Sequence, residues 1–407
     1  MSISPTATAR PMVERTLHRV VHPFNFLRIA LLAALVGGAL ISATPPASAL
    51  SNTPHPTWMT NGTVYAIARS KNLIYIGGSF TQLRERPPGS GGKVISVDNV
   101  AAIDAKKGTG VATWNPHVNG PVYALALSAS ADKVFMGGTF ASVGGQSRTN
   151  MAAVDAVTGA IDPTFRPRVG GSTSKVRTIL ASATRVYVGG GFTTANGKTR
   201  KNLAAFDLSG NLDSTWAPAA DNGVRDLEFS SDGAMIFIGG WFATISGLPR
   251  QSVARVTPDT GAVDPWSVPS GIIATGEVAY GLVPTPTRLY VGMGGPLNYA
   301  AAYDLSNGNT GTQKWRAGTS GNVNCITKWG SMLVIGGHFT SVRLDPTRVR
   351  LAGLNLNGSL VSDWVPKITG STGGPWSLLS TTTHLYVGGA FTTVSGIEQT
   401  YLAEFTA

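Results

Sequence analysis

The chain has 407 residues, 43% of them hydrophobic and only 13% charged, with 50 glycines and 24 prolines. This composition is globular and predicts many short elements joined by tight turns, not long helices. The formal charge of +11 points to anionic partners, and a single cysteine, Cys325, excludes an internal disulfide framework.

Residues 1–49 read as a secretory signal peptide. A basic leader (Arg10, Arg15, Arg19, Arg28) precedes an apolar run, Ile29 to Ile41, and the small-residue site Ala47-Ser48-Ala49. Thirteen apolar residues are too few to span a bilayer of about 30 Å, so cleavage after Ala49 is expected in preference to a membrane anchor. There is no twin-arginine pair, which favours the general secretory route. The expected mature chain keeps 28 basic and 20 acidic residues, a charge of +8. A secreted or cell-surface location follows.

Residues 50–407 carry an internal repeat. An apolar strand runs into a glycine pair with an aromatic residue beyond it, first as Leu73-Ile74-Tyr75-Ile76-Gly77-Gly78-Ser79-Phe80. The first glycine recurs at 77, 137, 189, 239, 292, 336 and 388; the fifth copy, Val291-Gly292-Met293-Gly294-Gly295-Pro296, is worn. A period near 50 is that of kelch-type propeller blades. Each unit also has an apolar segment before the glycine strand and another after it, usually ending in Asp before a Gly-containing turn. A fourth segment ends on an aromatic: Trp58, Trp114, Phe165, Trp216, Trp266, Trp315 or Trp364. We call the segments A to D from the centre outward.

The expectation is an all-β, seven-bladed β-propeller with four-stranded antiparallel blades. Trp58 lacks A, B and C strands before it, and the last unit ends after Leu402-Ala403-Glu404-Phe405 without a D strand. The N-terminal strand is therefore expected to join the last blade and close the ring, removing an open sheet edge.

The pattern Tyr187-Val188-Gly189-Gly190-Gly191-Phe192-Thr193, with Asn202-Leu203-Ala204-Ala205-Phe206-Asp207 and Trp216 behind it, resembles the delta-60 propeller repeats of exported bacterial proteins. It is also similar to kelch repeats and to repeats of fungal cell-surface polarity markers. The resemblance covers nearly all of residues 56–406 and implies a fold; it implies no activity. Some kelch relatives, such as galactose oxidase, use copper and a cysteine-crosslinked tyrosine. Here Cys325 reads as an ordinary buried thiol, and His55, His117, His338 and His384 fall in four different contexts, so neither metal nor cofactor is expected.

The glycine pairs lack the Gly-Lys-Ser/Thr ending of a phosphate loop and precede no helix, and no Gly-x-Ser-x-Gly elbow or His-Glu-x-x-His motif occurs. Two features point to binding instead. In a propeller the D-to-A and B-to-C connections share one face. The B-to-C loops hold eleven basic residues, among them Arg148, Lys198, Arg200, Lys201, Arg250 and Arg348, against four acidic ones. Such polarity attracts polyanions. The second feature is the position after the apolar opener of each A strand: Tyr65, Tyr123, Arg177, Arg225, Ala279, Asn324 and Trp376. These side chains would ring the mouth of the channel, or plug it by bonding one another, with Asp226 pairing to Arg225. Aromatic faces beside hydrogen-bond donors suit a sugar or an anion.

The functional expectation is a non-catalytic binding or scaffolding module for an anionic cell-wall polymer or other acidic polysaccharide. Nucleic acid is not expected as a partner, and a monomer is. The competing expectation is a propeller lyase, hydrolase or oxidase whose active site is drawn from several blades.

Overall fold

The computed structural model describes residues 50–86, 92–171, 174–370 and 373–406, all within the unit Ser48–Ala407. The leader expected at 1–49 lies outside the described residues. Within them the regular secondary structure is entirely β.

Seven meander sheets follow one another along the chain, each with its strands in the order A, B, C. The A strands are Val64–Arg69, Val122–Leu127, Lys175–Ala181, Val224–Phe229, Val278–Pro284, Val323–Trp329 and Gly374–Ser380. The apolar cores lie between successive units: Tyr75, Val100 and Trp114 of the first pack against Val134, Met136 and Phe140 of the second. Tyr386 and Leu402 of the last unit, with Trp58 of the N-terminal segment, share a cluster with Val64 and Ile67 of the first.

The glycine pair has a steric cause at each of its two positions. A Cβ on Gly137 would lie 2.4 Å from Val176 of the next unit, and one on Gly189 would lie 2.5 Å from Val224. The first glycine therefore admits the neighbouring unit's A strand. A Cβ on Gly138 or Gly190 would lie 2.1 or 2.0 Å from the carbonyl oxygen of Pro121 or Lys175, in the A strand or its lead-in within the same sheet. The second glycine thus accommodates the A strand of its own sheet. In the worn fifth unit Met293 replaces it, and the residue opposite is Ala279 where the first two units have Val64 and Val122.

The fourth strand departs from the sequence expectation. Among the described residues only the fifth unit has one, Gln313–Gly318, paired along Tyr299–Tyr303. Elsewhere the D segment is a single bridge: Ile103 to Gly110, Val154 to Ile161, Phe206 to Leu212, Val256 to Val263 and Leu354 to Leu360. Local chemistry explains the difference. Asp162, Asp213 and Asp264 turn the chain just before the aromatic, accepting amide hydrogen bonds from Phe165, Trp216 and Trp266. Proline then follows at 116, 167, 218 or 366, which removes a ladder donor. The fifth unit has neither device around Trp315, and its strand runs on.

The tryptophans still tie the units together. Trp114, Trp216, Trp266 and Trp315 donate their indole N–H to Asp155, Thr257, Asp304 and Leu356 of the next unit, at 2.9–3.3 Å. Trp364 donates instead to Ser51 at 3.1 Å. Around it the Val365 amide donates to Asn52 Oδ1, the Ser395 hydroxyl to the Asn52 carbonyl, and His55 bridges antiparallel to Glu404. The last unit's outer edge is thus met by the N-terminal segment, through one bridge.

In the second, third, fourth and last units the B-to-C connections are short hairpins with left-handed turns such as Asn196-Gly197, at φ 44° and 76°. They pair with the D-to-A segment of the preceding unit, as Val169 with Ala195, Ala220 with Ile245 and Ile368 with Val394. The two sets of loops therefore occupy the same side of the sheets.

Candidate functional site

Each A strand carries one β-bulge near its start. The ladder skips a residue between Val64 and Ala66, Val122 and Ala124, Val176 and Thr178, Val224 and Asp226, Ala279 and Gly281, Val323 and Cys325, and Pro375 and Ser377. The skipped residues are Tyr65, Tyr123, Arg177, Arg225, Tyr280, Asn324 and Trp376. A bulge re-aims the unpaired residue out of the alternating pattern, and these seven line a single small cavity of about 90 Å³. The fifth member is a correction: Tyr280 stands there, while Ala279 is fully buried in the core. The fifth bulge falls one residue later than counting from Val278 suggests.

The seven make contacts around the cavity. Tyr65 meets Tyr123 at 5.1 Å between ring centroids and Trp376 at 6.3 Å. The Arg177 guanidinium sits 5.6 Å from the Tyr123 ring centre, and that of Arg225 sits 5.2 Å from Tyr280. Such cation–π contacts leave the donors of both arginines available, and neither arginine has an ion pair among the described residues. Burial, and next the charge of Arg225, bring Arg177 down to about 10; burial also lowers Arg225. Both remain cations near neutrality, in an environment that stabilises an incoming anion. Asn324 is more deeply set, donating to the Pro375 carbonyl at 3.2 Å with its own Oδ1 buried and unpartnered.

A cavity of about 240 Å³, bounded by all seven A strands, includes these residues and continues to Asp226 and Glu228. Asp226 does not pair with Arg225. Its carboxylate accepts from the amides of Leu282 at 2.8 Å and Leu227 at 3.0 Å. Burial raises Asp226 to about 6 and raises Glu228 well above the usual carboxylate range, Asp226 adding to the second shift. Cys325 borders the same cavity, its thiol pushed up by burial. Among the described residues no cluster of three or more His, Cys, Asp or Glu side chains is arranged for a metal.

The basic loop residues divide into two kinds. Lys198 and Lys201 are exposed. Arg200 is held, its guanidinium donating to the Thr199 and Asp213 carbonyls at 3.0 and 3.1 Å. Arg148, Arg250 and Arg348 repeat that role, donating to Asp162, Asp264 and Trp364. The face is basic, but much of its arginine count stitches hairpins to D segments. Sequence reading missed this because a loop arginine looks the same whether it meets solvent or a carbonyl.

Residues 185–215 and 231–265 match a protein family described as a domain of unknown function (DUF5122) beta-propeller. No curated protein matches the chain. Among solved structures, the WD40 beta-propeller domain of Doa1 is similar with a TM-score of 0.54 at 15% identity, over 87% of this chain and 96% of that one. The computationally designed Ika8 protein is similar with a TM-score of 0.49 at 15% identity, over 86% and 90%. The family match and the Doa1 likeness speak for the fold: the chain is an all-β protein of the β-propeller kind.

Proposed function

We propose that this chain is an exported, seven-bladed propeller of the delta-60 or kelch-like kind, a monomer whose ring is closed between its first and last units. Its role is that of a binding module for an acidic carbohydrate polymer at the cell surface. Closure is supported by the wrap-around contacts: Gly388 leaves room for Val64, Tyr65 meets Trp376, and His55 bridges to Glu404. The observation that carries the function is the convergence of seven bulged residues on one mouth, with aromatic rings on one side and two cations without carboxylate partners on the other. Rings accept the faces of sugars, and guanidinium groups accept carboxylate or phosphate.

Calorimetric titration with oligogalacturonate and with neutral dextran tests the reading. Oligogalacturonate is expected to bind, more weakly as salt rises, and Arg177→Ala with Arg225→Ala to weaken it by about tenfold or more, given the strength of charge-assisted hydrogen bonds. Equal affinity for dextran, or an unchanged double variant, would sink it.

A second reading has one specific observation behind it: the Asp226 and Glu228 carboxyls, both raised by burial and both bordering the central cavity. A proton-holding carboxyl pair is what general-acid cleavage of a glycan requires. Shortening of oligogalacturonate by the parent protein, followed by mass spectrometry and lost in Glu228→Gln, would favour the enzyme.

A further inference from the structure

The cavity bounded by the seven A strands holds charge at two levels. Arg177 and Arg225 stand at the bulges, and Asp226 and Glu228 follow further along the fourth A strand, Val224–Phe229, on the same cavity wall. Leu227 turns into the core, 2% exposed, so the acids on either side of it share the channel face. At about 3.3 Å per residue, their backbones lie roughly 3 and 10 Å beyond that of Arg225. Among the described residues no ion pair joins either acid to either arginine.

The two acids also lack any other cation. The remaining titratable side chains on the cavity wall are Tyr65, Tyr123, Tyr280 and Cys325. Asp226 is met by the backbone amides of Leu282 and Leu227. The Glu228 carboxyl has no such support, and burial, then the Asp226 charge, disfavours its ionised form. Buried charges are ordinarily paired, and here the partner is missing on the side that faces a cavity of about 240 Å³. A ligand that is only anionic is held by the arginines but repelled by each acid that ionises. One that is cationic at the deeper level meets complementary charge at both.

We infer that the channel takes a sugar residue that is acidic and basic at once: its anionic group lies between Arg177 and Arg225, and a free ammonium on the same residue lies against Asp226 and Glu228. The inference rests on the acidic-carbohydrate reading and narrows it to an amino sugar acid whose amine is unblocked.

The test titrates muramic acid, a monosaccharide with one carboxylate and one free amine, against N-acetylmuramic acid, in which the amine is capped. At pH 7 the free amine is expected to bind about tenfold more tightly, as one added charge-assisted pair implies. Between pH 5 and 7 its affinity should rise about tenfold, because the Asp226 carboxyl, near 6 in the free protein, must release its proton to meet the ammonium. N-acetylmuramic acid should show no such rise. Glu228→Gln keeps the shape of the side chain and should remove most of the advantage of the free amine. Its thermal midpoint checks folding, and if that variant does not fold, the two pH profiles of the parent protein decide the matter alone. Equal binding of free and capped amines, parallel pH profiles, or an advantage that survives in folded Glu228→Gln overturns the inference; with oligogalacturonate still bound, the acidic-carbohydrate reading stands. If no acidic sugar binds the parent protein, both fall.

Discussion

At the scale of single residues, the glycine pair and the buried carboxyl are the positions where physics is most exacting. Gly190 and Gly191 are neighbours with opposite surroundings: a Cβ on the first would stand 2.0 Å from a backbone carbonyl, and on the second would touch nothing. Gly190→Ala is therefore expected to destabilise the protein by about 1–3 kcal/mol, the usual cost of overpacking, and Gly191→Ala to stay near the parent. Urea unfolding of both variants decides it; equal midpoints would mean that the sheet yields more easily than packed β-structure does. Asp226 makes a prediction about pH. Its folded-state carboxyl titrates near 6 against an ordinary 3.8, because burial disfavours the charge. Between those values the native protein holds a proton that the unfolded chain has released. This group contributes stability that is present at low pH and lost as pH rises through about 6. Asp226→Asn does not titrate and keeps an acceptor for the Leu282 amide. The stability difference between variant and parent should move in favour of the variant from pH 4 to pH 7, and parallel curves would refute the assignment.

Strands and loops form the next scale, where sequence reading succeeds or fails for identifiable reasons. The glycine strands and their order were legible because each glycine is demanded by a contact that recurs in every sound unit. The bulges were only half legible: six of seven mouth residues come from counting along the A strand, but a bulge has no residue signature of its own. In the worn unit the count therefore lands on Ala279 and misses Tyr280. The fourth strand was over-read, since the Asp turns at 162, 213 and 264 and the following prolines interrupt a segment that the recurring aromatic had suggested as a full strand. The loop arginines were misjudged in kind. Arg148 is 4% exposed and joins its hairpin, through Ser147, to the D segment at Asp162. Arg148→Met keeps the packed stem and removes those bonds. It is expected to cost about 1–3 kcal/mol, the range for a charge-assisted hydrogen bond lost from a buried site, and to speed amide exchange in residues 142–147. A surface arginine would produce neither effect.

For the molecule as a whole, stability depends on what happens at the outer edge of the last unit. Among the described residues six of the seven sheets have only a bridge where a fourth strand would run, and successive units meet through the apolar clusters and the tryptophan N–H bonds to the next unit. Where the sixth unit meets the last, the segment Ser51–His55 takes that partner's place: it receives the indole of the sixth unit's Trp364, supports Val365 through Asn52 and bridges to Glu404 of the last unit. Removing residues 50–56 while keeping Trp58 leaves every C-terminal sheet intact, but strips the Trp364 indole of its acceptor and uncovers the Leu402–Thr406 strand. A buried donor without a partner costs about 1–3 kcal/mol, and an uncovered strand edge invites pairing with another molecule. Two consequences are expected together: a lower unfolding midpoint, and concentration-dependent dimers or larger species in sedimentation. Asn52→Ala, which removes one side chain and leaves the backbone acceptors, should produce a fraction of the first and none of the second. A truncated protein that stays monomeric with an unchanged midpoint would mean that the chain ends contribute nothing to holding the first and last units together, and the proposed closure would have to be carried by Val64, Gly388 and their neighbours alone.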